Sequence, residues 1–260
     1  MLDHISHSQI QMLLKCGIQW EFRYLKNKIV PPGASLVRGK CGHKSLEFNF
    51  MQKVVSKEDL PVSMVKDFFS DEWESSKFQI AWTEKDLDGK SPKVATAKFK
   101  DSGIQLVEKF HEEQSPVIQP VTVEEKFEVP FEGDYPSLVG VIDRVDEGEE
   151  IGEVKFAGKS PQKDDAKTDI QLTIYDAAYR VMHGHPPKKL KKEFAIATKE
   201  AKTMVLEEPP RDDATVNRLL NRLLVSMQCL KSGIFVPAPQ GAWWCSANWC
   251  GYWDQCNYHP

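Results

Sequence analysis

The sequence predicts an α/β fold in which helices flank a central mixed β-sheet. Segments with helical periodicity fill the chain up to about residue 114, and short segments rich in β-branched residues follow them. One helical segment interrupts the strand-like run, and a last helix comes after it, as is typical of helices layered on a mixed sheet. Hydrophobic residues make up 41% and charged residues 28% of the chain, so we expect one globular domain over residues 1–260.

Four helical segments are expected in the first part of the chain. They cover about residues 6–25, 38–54, 63–76 and 95–114. Ser6 or Ser8 is a suitable N-cap for the first segment, in which apolar residues recur at helical spacing. The prolines and glycine at 31–33 end this first unit.

Strand-like segments dominate the second part. They cover about residues 121–129, 137–145, 150–157, 192–198 and 203–208. A helix from Ala166 to His183 interrupts them and stops at Gly184. Another helix is expected over 214–233, and the tryptophan-rich and cysteine-rich stretch after residue 237 has no periodicity.

The segment SLVGVIDRVDEGEEIGEVKFAG is typical of a β-hairpin that carries chemistry. Gly148 stands among acidic residues between two strand-like runs, as expected of a hairpin loop. A three-residue loop centred on Gly148 places Asp143 directly opposite Glu153. Lys155 shares a strand face with Glu153 because side chains alternate with period two. The three side chains therefore converge on one patch.

Apolar neighbours such as Val139, Ile142 and Val154 indicate that this hairpin is at least half buried. Two carboxylates side by side in such a place repel each other, and one pKa rises sharply unless a cation intervenes. A divalent ion relieves the repulsion and leaves positions for water and a phosphate. Lys155 would then orient or help deprotonate the attacking water, or stabilise the phosphate charge. This chemistry fits phosphodiester hydrolysis, and the alternative is a surface hairpin with ordinary Glu–Lys and Asp–Arg pairs.

Charge and hydropathy exclude some classes of protein. The apolar runs are far shorter than the roughly 20 residues that a membrane span needs. The start MLDHISHSQIQ lacks the features of a signal peptide, so we expect a cytoplasmic location. A net charge of −4 is unusual for a nucleic-acid binder, although carboxylates that bind cations lower the formal charge. Two lysine clusters either serve a nucleic acid or form solvated surface: Lys159 and Lys163, and Lys188, Lys189, Lys191 and Lys192.

Three of the six cysteines lie close together near the end of the chain. Cys245, Cys250 and Cys256 fall within twelve residues, which leaves a four-cysteine metal site one ligand short. Disulfides are the less expected use in a chain without an export signal. Cys41 and Cys229 lie on helical segments and are expected to be buried free thiols.

With these residues in place, the chain resembles the PD-(D/E)XK nuclease superfamily and, within it, the RecB-type nuclease domain. It is similar to the iron–sulfur exonucleases of CRISPR adaptation and of the bacterial AddB recombination subunit. GVIDRV contributes Asp143, and GEVKF contributes Glu153 and Lys155. RGKCGHKSLEF looks like the helix whose histidine, here His43, binds the metal. DIQLTIYDAAY contains a Gln-x3-Tyr motif at Gln171 and Tyr175.

The resemblance implies a restriction-endonuclease-like core and hydrolysis of DNA with Mg²⁺ or Mn²⁺. It implies an exonuclease acting on single strands or DNA ends rather than an endonuclease. His43, Asp143 and Glu153 would bind the metal together with the carbonyl of Val154, and Lys155 would serve the nucleophile. Gln171 and Tyr175 are four residues apart, so they share a helix face. They would position the substrate, unless they only pack the helix.

The resemblance also supplies the missing thiol. The segment LLKCGIQWEFRY points to Cys16, which would join the two ends of the chain through a 4Fe–4S cluster. Zn²⁺ is the alternative on ligand chemistry. This chain has four residues between Cys245 and Cys250, where the family commonly has two. The aromatic residues around this clasp either shield the metal or stack on single-stranded bases: Trp243, Trp244, Trp249, Tyr252 and Trp253.

The expected domain has three functional parts. Residues 1–60 form a helical part with Cys16 and His43, residues 120–200 the catalytic sheet and helix, and residues 241–260 the cysteine-rich clasp. The resemblance implies a phage or bacterial origin and a recombination or CRISPR-type protein partner. Two alternatives remain: a non-catalytic protein that binds single-stranded DNA or a recombination partner, and a structural zinc protein whose hairpin charges face solvent.

Overall fold

A computed structural model describes residues 3–259 of the chain. It contains two compact units, which we call unit 1 and unit 2. Unit 1 is formed by residues 1–30, 127–140 and 211–260, and unit 2 by residues 31–126 and 141–210. The expectation of a single domain stays a prediction.

The helices and strands follow the predicted order. In chain order they are β1 (His4–Ser6), α1 (His7–Lys15), α2 (Gly17–Trp20), a π-helical turn (Glu21–Leu25), α3 (Ala34–Ser56), α4 (Val62–Ser76), α5 (Glu84–Leu87), α6 (Pro92–Glu113), β2 (Pro120–Val129), β3 (Ser137–Asp146), β4 (Glu150–Ala157), α7 (Ile170–His183), β5 (Lys189–Ile196), β6 (Lys202–Glu208) and α8 (Asp213–Lys231). No helix among residues 3–259 is long and apolar enough to cross a membrane.

Among residues 3–259, six strands form one mixed sheet; a mixed sheet was predicted, whereas strand β1 was not. The strand order of the sheet is β1-β3-β4-β5-β6, and β2 also pairs with β3. The β1–β3 and β4–β5 pairs are parallel, whereas β3–β4 and β5–β6 are antiparallel. β1 pairs with the first residues of β3, and β4 pairs with its last residues. Helix α7 is the crossover between the parallel strands β4 and β5.

The core of unit 2 lies among α3, α4, α6 and the sheet. Phe69, Trp73 and Phe110 are fully buried there and pack with Val154 of β4. Gly103 of α6 allows the close approach of Phe69 because glycine has no side chain. A Cβ at position 103 would lie 2.0 Å from the Phe69 ring. This packing fixes β4, the strand that carries Glu153.

The first helix begins as predicted but ends early. Ser6 is its N-cap, and Ser6 and Gln9 form a capping box. The predicted continuous helix over 6–25 is wrong, because Cys16 adopts an extended backbone that separates α1 from α2. The Gly17 amide donates a 2.6 Å hydrogen bond to the Val236 carbonyl, and a Cβ at position 17 would lie 2.7 Å from the Val236 nitrogen. A distant contact thus overrides local helix propensity.

Candidate active site

The β3–β4 hairpin has the predicted register. Arg144 pairs with Gly152, Val145 with Ile151 and Asp146 with Glu150, which leaves a three-residue loop centred on Gly148. Gly148 has a φ of +79°, a backbone conformation that favours glycine. Continuing this register places Asp143 opposite Glu153.

His43 joins the two carboxylates. One ligand atom from each of His43, Asp143 and Glu153 lies within 4.8 Å of the other two. The Nδ1 atom of His43 is 3.5 Å from Oδ2 of Asp143. Helix α3 can approach β4 here because Gly42 has no side chain. A Cβ at this position would lie 2.3 Å from the Phe156 ring. The structure therefore brings together the three side chains that the sequence analysis assigned to a metal.

Of the two carboxylates in this group, Glu153 lies in the surroundings that disfavour a negative charge more strongly. Its side chain is 0% exposed. Burial, and next the Asp143 charge, raise the pKa of Glu153 well above its usual range. Burial lowers the pKa of His43, so its imidazole is neutral and able to ligate. The Lys155 ammonium pairs directly with the Glu153 carboxylate.

Gln171 and Tyr175 of α7 tie these groups together. Lys155 donates to Gln171 Oε1 at 2.8 Å, and the Gln171 amide donates to Glu153 at 2.9 Å and to the Tyr175 hydroxyl at 2.7 Å. The Tyr175 hydroxyl donates to Asp143 Oδ1 at 2.9 Å. Burial, and then the Glu153 and Asp143 charges, raise the pKa of Tyr175, so the hydroxyl keeps its proton and remains a donor.

Two further acids border the site and were not predicted. Glu47 lies one helical turn after His43, and burial raises its pKa. Partial burial, and then the Asp143 and Glu47 charges, raise the pKa of Glu124 to about 7. Glu124 also has a φ of +54°, which is uncommon outside glycine and asparagine. The spacing of four between His43 and Glu47 could have revealed Glu47 from the sequence.

Arg144 and Asp146 of β3 belong to a different, buried charge cluster together with Glu193 of β5. Arg144 donates to Asp146 Oδ1 at 2.6 Å and to Glu193 Oε1 at 2.8 Å, and no side chain of this trio is more than 4% exposed. Arg144 also lies over the Phe50 ring. The Asp–Arg and Glu–Lys pairs of the surface-hairpin alternative therefore exist, but Arg144, Asp146 and Glu153 are buried rather than solvated.

A family model of the PD-(D/E)XK nuclease superfamily matches residues 4–257. The chain belongs to this superfamily. Among curated proteins, none matches the chain. Membership agrees with the expected restriction-endonuclease-like fold and implies a nuclease with DNA as substrate. PD-(D/E)XK nucleases use divalent metals, and the group of His43, Asp143 and Glu153 is a possible site for one.

One solved structure supports the fold. A candidate exonuclease from Eubacterium rectale is 11% identical to this nuclease, with a TM-score of 0.57, over 90% of this chain and 84% of that chain. At that identity the likeness shows the fold alone. The structure of SSO0001 is 17% identical over 76% of this chain and 98% of that chain, and its TM-score of 0.36 is too low to support an argument.

The four predicted clasp cysteines lie near one another in unit 1 of the nuclease. Cys16 and Cys250 are buried in a small cluster against which Cys256 packs. Burial, and then interaction with the other three thiols, raise the pKa of Cys245. All six cysteines are free thiols. Within residues 3–259, one group of three potential metal ligands lies close together, and it is formed by His43, Asp143 and Glu153.

The remaining residues singled out in the sequence differ in their exposure and in their partners. Lys188 pairs with Glu149 at the surface, whereas the pairs of Lys189 and Lys191 with Glu150 and of Lys192 with Asp169 involve half-buried lysines. Lys159 and Lys163 are exposed. Cys41 is buried, as predicted, but Cys229 is only half-buried. Tyr252 is buried and Trp244 and Trp253 are half-buried, whereas Trp243 and Trp249 are exposed.

Proposed function

We propose that this chain is a Mg²⁺- or Mn²⁺-dependent deoxyribonuclease that hydrolyses phosphodiester bonds of single-stranded DNA or of DNA ends. The observation that carries the proposal is the group formed by His43, Asp143 and Glu153, with the Lys155 ammonium beside it. An exonuclease is favoured over an endonuclease by the sequence resemblance.

The donor set fits a divalent cation. Two carboxylates, one of them fully buried with a raised pKa, face each other in a place where a cation would offset their repulsion. His43, Asp143 and Glu153 would hold the ion, with the carbonyl of Val154, which interacts with His43, as a further ligand. The bound ion would supply Lewis-acid polarisation of the phosphate and a lower pKa for a water molecule.

The chain's own residues would arrange the other reactants. Lys155 is held between Glu153 and Gln171, so its ammonium is placed to orient the attacking water and to stabilise charge on the phosphate. The hydrogen bonds of Gln171 and Tyr175 run to Glu153, Asp143 and Lys155, which supports a positioning role for both. Their role in binding the substrate stays a prediction.

Release of nucleotides from labelled single-stranded DNA tests the proposed reaction. With Mn²⁺ the parent protein should release nucleotides, and Glu153→Ala should lower the rate by at least about a hundredfold, because removing a positioned charge costs that much in comparable sites. The control Glu128→Ala removes an exposed acid of β2 and should retain the parent rate. Binding of DNA without release in the parent would instead support the non-catalytic alternative.

For the terminal thiols we propose a 4Fe–4S cluster held by Cys16, Cys245, Cys250 and Cys256, with Zn²⁺ as the alternative. The resemblance to the iron–sulfur exonucleases supports the cluster, whereas four thiolates suit either metal. The implied cytoplasmic location and recombination or CRISPR-type partner stay predictions.

The visible spectrum of anaerobically purified protein distinguishes these two metals. A cluster gives a broad brown absorbance together with iron and labile sulfide, and Cys250→Ser should remove it. Cys229→Ser is the matched control and should leave the spectrum unchanged, because Cys229 lies on α8 and outside the proposed set. A colourless protein that contains zinc would contradict the cluster.

A further inference from the structure

Two stretches of unit 1 carry positive charge without acidic residues. Residues 4–20 and 214–253 contain Lys15, Arg218, Arg222 and Lys231 but no aspartate or glutamate. The whole chain has 38 acidic residues and a net charge of −4. Acidic residues flank both stretches, Lys231 pairs with Asp134, and Arg218 interacts with Asp212. The positive charge that could attract a polyanion is therefore concentrated at Lys15, Arg218 and Arg222.

The solvent face of α8 concentrates this charge. Arg218 and Arg222 are one turn apart and are the two exposed arginines of the chain, since the other five are buried or half-buried. Asn217 and Asn221 lie beside them and are also exposed. These four side chains and Leu14 of α1 line an open groove of about 610 Å³. The opposite stripe of α8, with Val216, Leu219, Leu223 and Met227, is buried. Packing thus accounts for the apolar stripe but not for the arginines and asparagines.

Exposed tryptophan rings lie along the same unit. Lys15, next to Leu14, has its ammonium 5.8 Å from the centre of the Trp244 ring. Trp243 lies 5.7 Å from Trp244 and 5.2 Å from Trp249, between ring centres. Trp243 is 65% and Trp249 57% exposed, so neither ring only shields the thiols. Exposed indoles of this size are uncommon on a surface that has no partner.

We propose that these side chains form a binding surface for single-stranded DNA. Arg218, Arg222 and Lys15 would contact phosphates, and Trp243 and Trp249 would stack on successive bases. Together these five residues are called the strand-binding surface. The proposal goes beyond cleavage and does not depend on it, because such binding needs no divalent metal. A protein partner would require an apolar centre, whereas the exposed apolar residues that line the groove are only Ala214 and Val225.

Binding of a fluorescent oligothymidine in EDTA, where cleavage is prevented, tests the phosphate contacts. The double variant Arg218→Gln/Arg222→Gln should reduce the slope of log affinity against log salt by about 1.4, which corresponds to two lost contacts on a single strand. The control Lys90→Gln/Lys93→Gln removes the same charge from exposed positions of unit 2 and should keep the parent slope. The proposal would be overturned if the parent and both double variants had the same slope. It would also be overturned if both double variants reduced the slope by the same amount.

The stacking contacts are tested by Trp243→Ala. We expect at least a fivefold weaker affinity, from the loss of one stacked base. The control Phe78→Ala removes an aromatic residue of unit 2 that is 83% exposed and should bind as the parent does. If the surface variants bind DNA normally but change the oligomeric state in sedimentation, the surface is a protein interface and the proposal fails. Because this assay contains EDTA, a parent protein that binds the oligomer through this surface but releases no nucleotides with Mn²⁺ would support this proposal while refuting the proposed nuclease reaction.

Discussion

Tyr175 shows how a single hydroxyl organises the carboxylates. It is 3% exposed, donates to Asp143 and accepts from Gln171, which in turn donates to Glu153. Such partners of ligand side chains fix ligand orientation before the metal arrives. The Gln-x3-Tyr spacing was visible in the sequence, but the direction of these hydrogen bonds was not.

We expect Tyr175→Phe to weaken Mn²⁺ binding by about tenfold, because Asp143 loses the donor that orients it. Titration of Mn²⁺, followed by the signal of the free ion in electron paramagnetic resonance, measures this directly. Tyr179→Phe is the matched control, since Tyr179 lies one turn further along α7, is 3% exposed and stacks on His183. An unchanged affinity in Tyr175→Phe would refute the positioning role while leaving the nuclease proposal intact.

At the scale of elements, the buried Arg144 cluster joins the strands on which the site is built. Arg144 and Asp146 lie on β3 and Glu193 on β5, with Gly152 of β4 between them. Burial lowers the pKa of Arg144, but the two carboxylates outweigh this effect and raise it, so the guanidinium stays charged. A buried trio of this kind is costly to break, because any remaining charge is left uncompensated.

Gly152→Ala should lower the free energy of unfolding by about 1–3 kcal/mol, as overpacking of a buried site does. A Cβ at position 152 would lie 2.3 Å from an Arg144 nitrogen that is already held by two carboxylates. Urea unfolding measures the change. Gly158→Ala provides the comparison, because a Cβ there meets nothing within 4 Å. Equal stability of the two variants would show that Arg144 moves aside freely.

At the scale of the whole molecule, stability depends on the acids gathered at the site. The pKa of Glu124 in the folded protein, about 7, lies above the ordinary 4.5 of a glutamate. Folding therefore favours its protonated form. This contribution to stability is fully present below about pH 4.5 and is lost as the pH rises through about 7. Glu124 is exposed to solvent, which screens these charges, so the effect on stability is small.

In EDTA, Glu124→Gln should lose less stability than the parent between about pH 4.5 and 7.5, because the amide cannot ionise. Urea unfolding at a series of pH values gives the comparison. Glu128→Gln, at an exposed position of the same strand, should follow the parent curve. A Glu124→Gln curve parallel to that of the parent would mean that the surroundings of Glu124 do not penalise its charge.

The sequence by itself determined most of the local elements and the register of the hairpin. Period-two alternation and Gly148 were sufficient to place Asp143 opposite Glu153. Ser6 marks the start of its helix and Gly184 the end of its helix, as expected. These features depend on neighbours a few residues apart, so a single stretch of chain contains the information.

Only the tertiary structure decided the features that depend on distant contacts. The extended Cys16 next to Gly17 results from Val236, and the three-residue strand β1 is too short to show alternation. The approach of Glu124 to Asp143 and the exposure of Trp243 also follow from packing. Burial and charge interactions join residues far apart in sequence, and no local pattern carries them. The sequence therefore shows which residue types are present, whereas it does not show how deeply they are buried or which charges lie beside them.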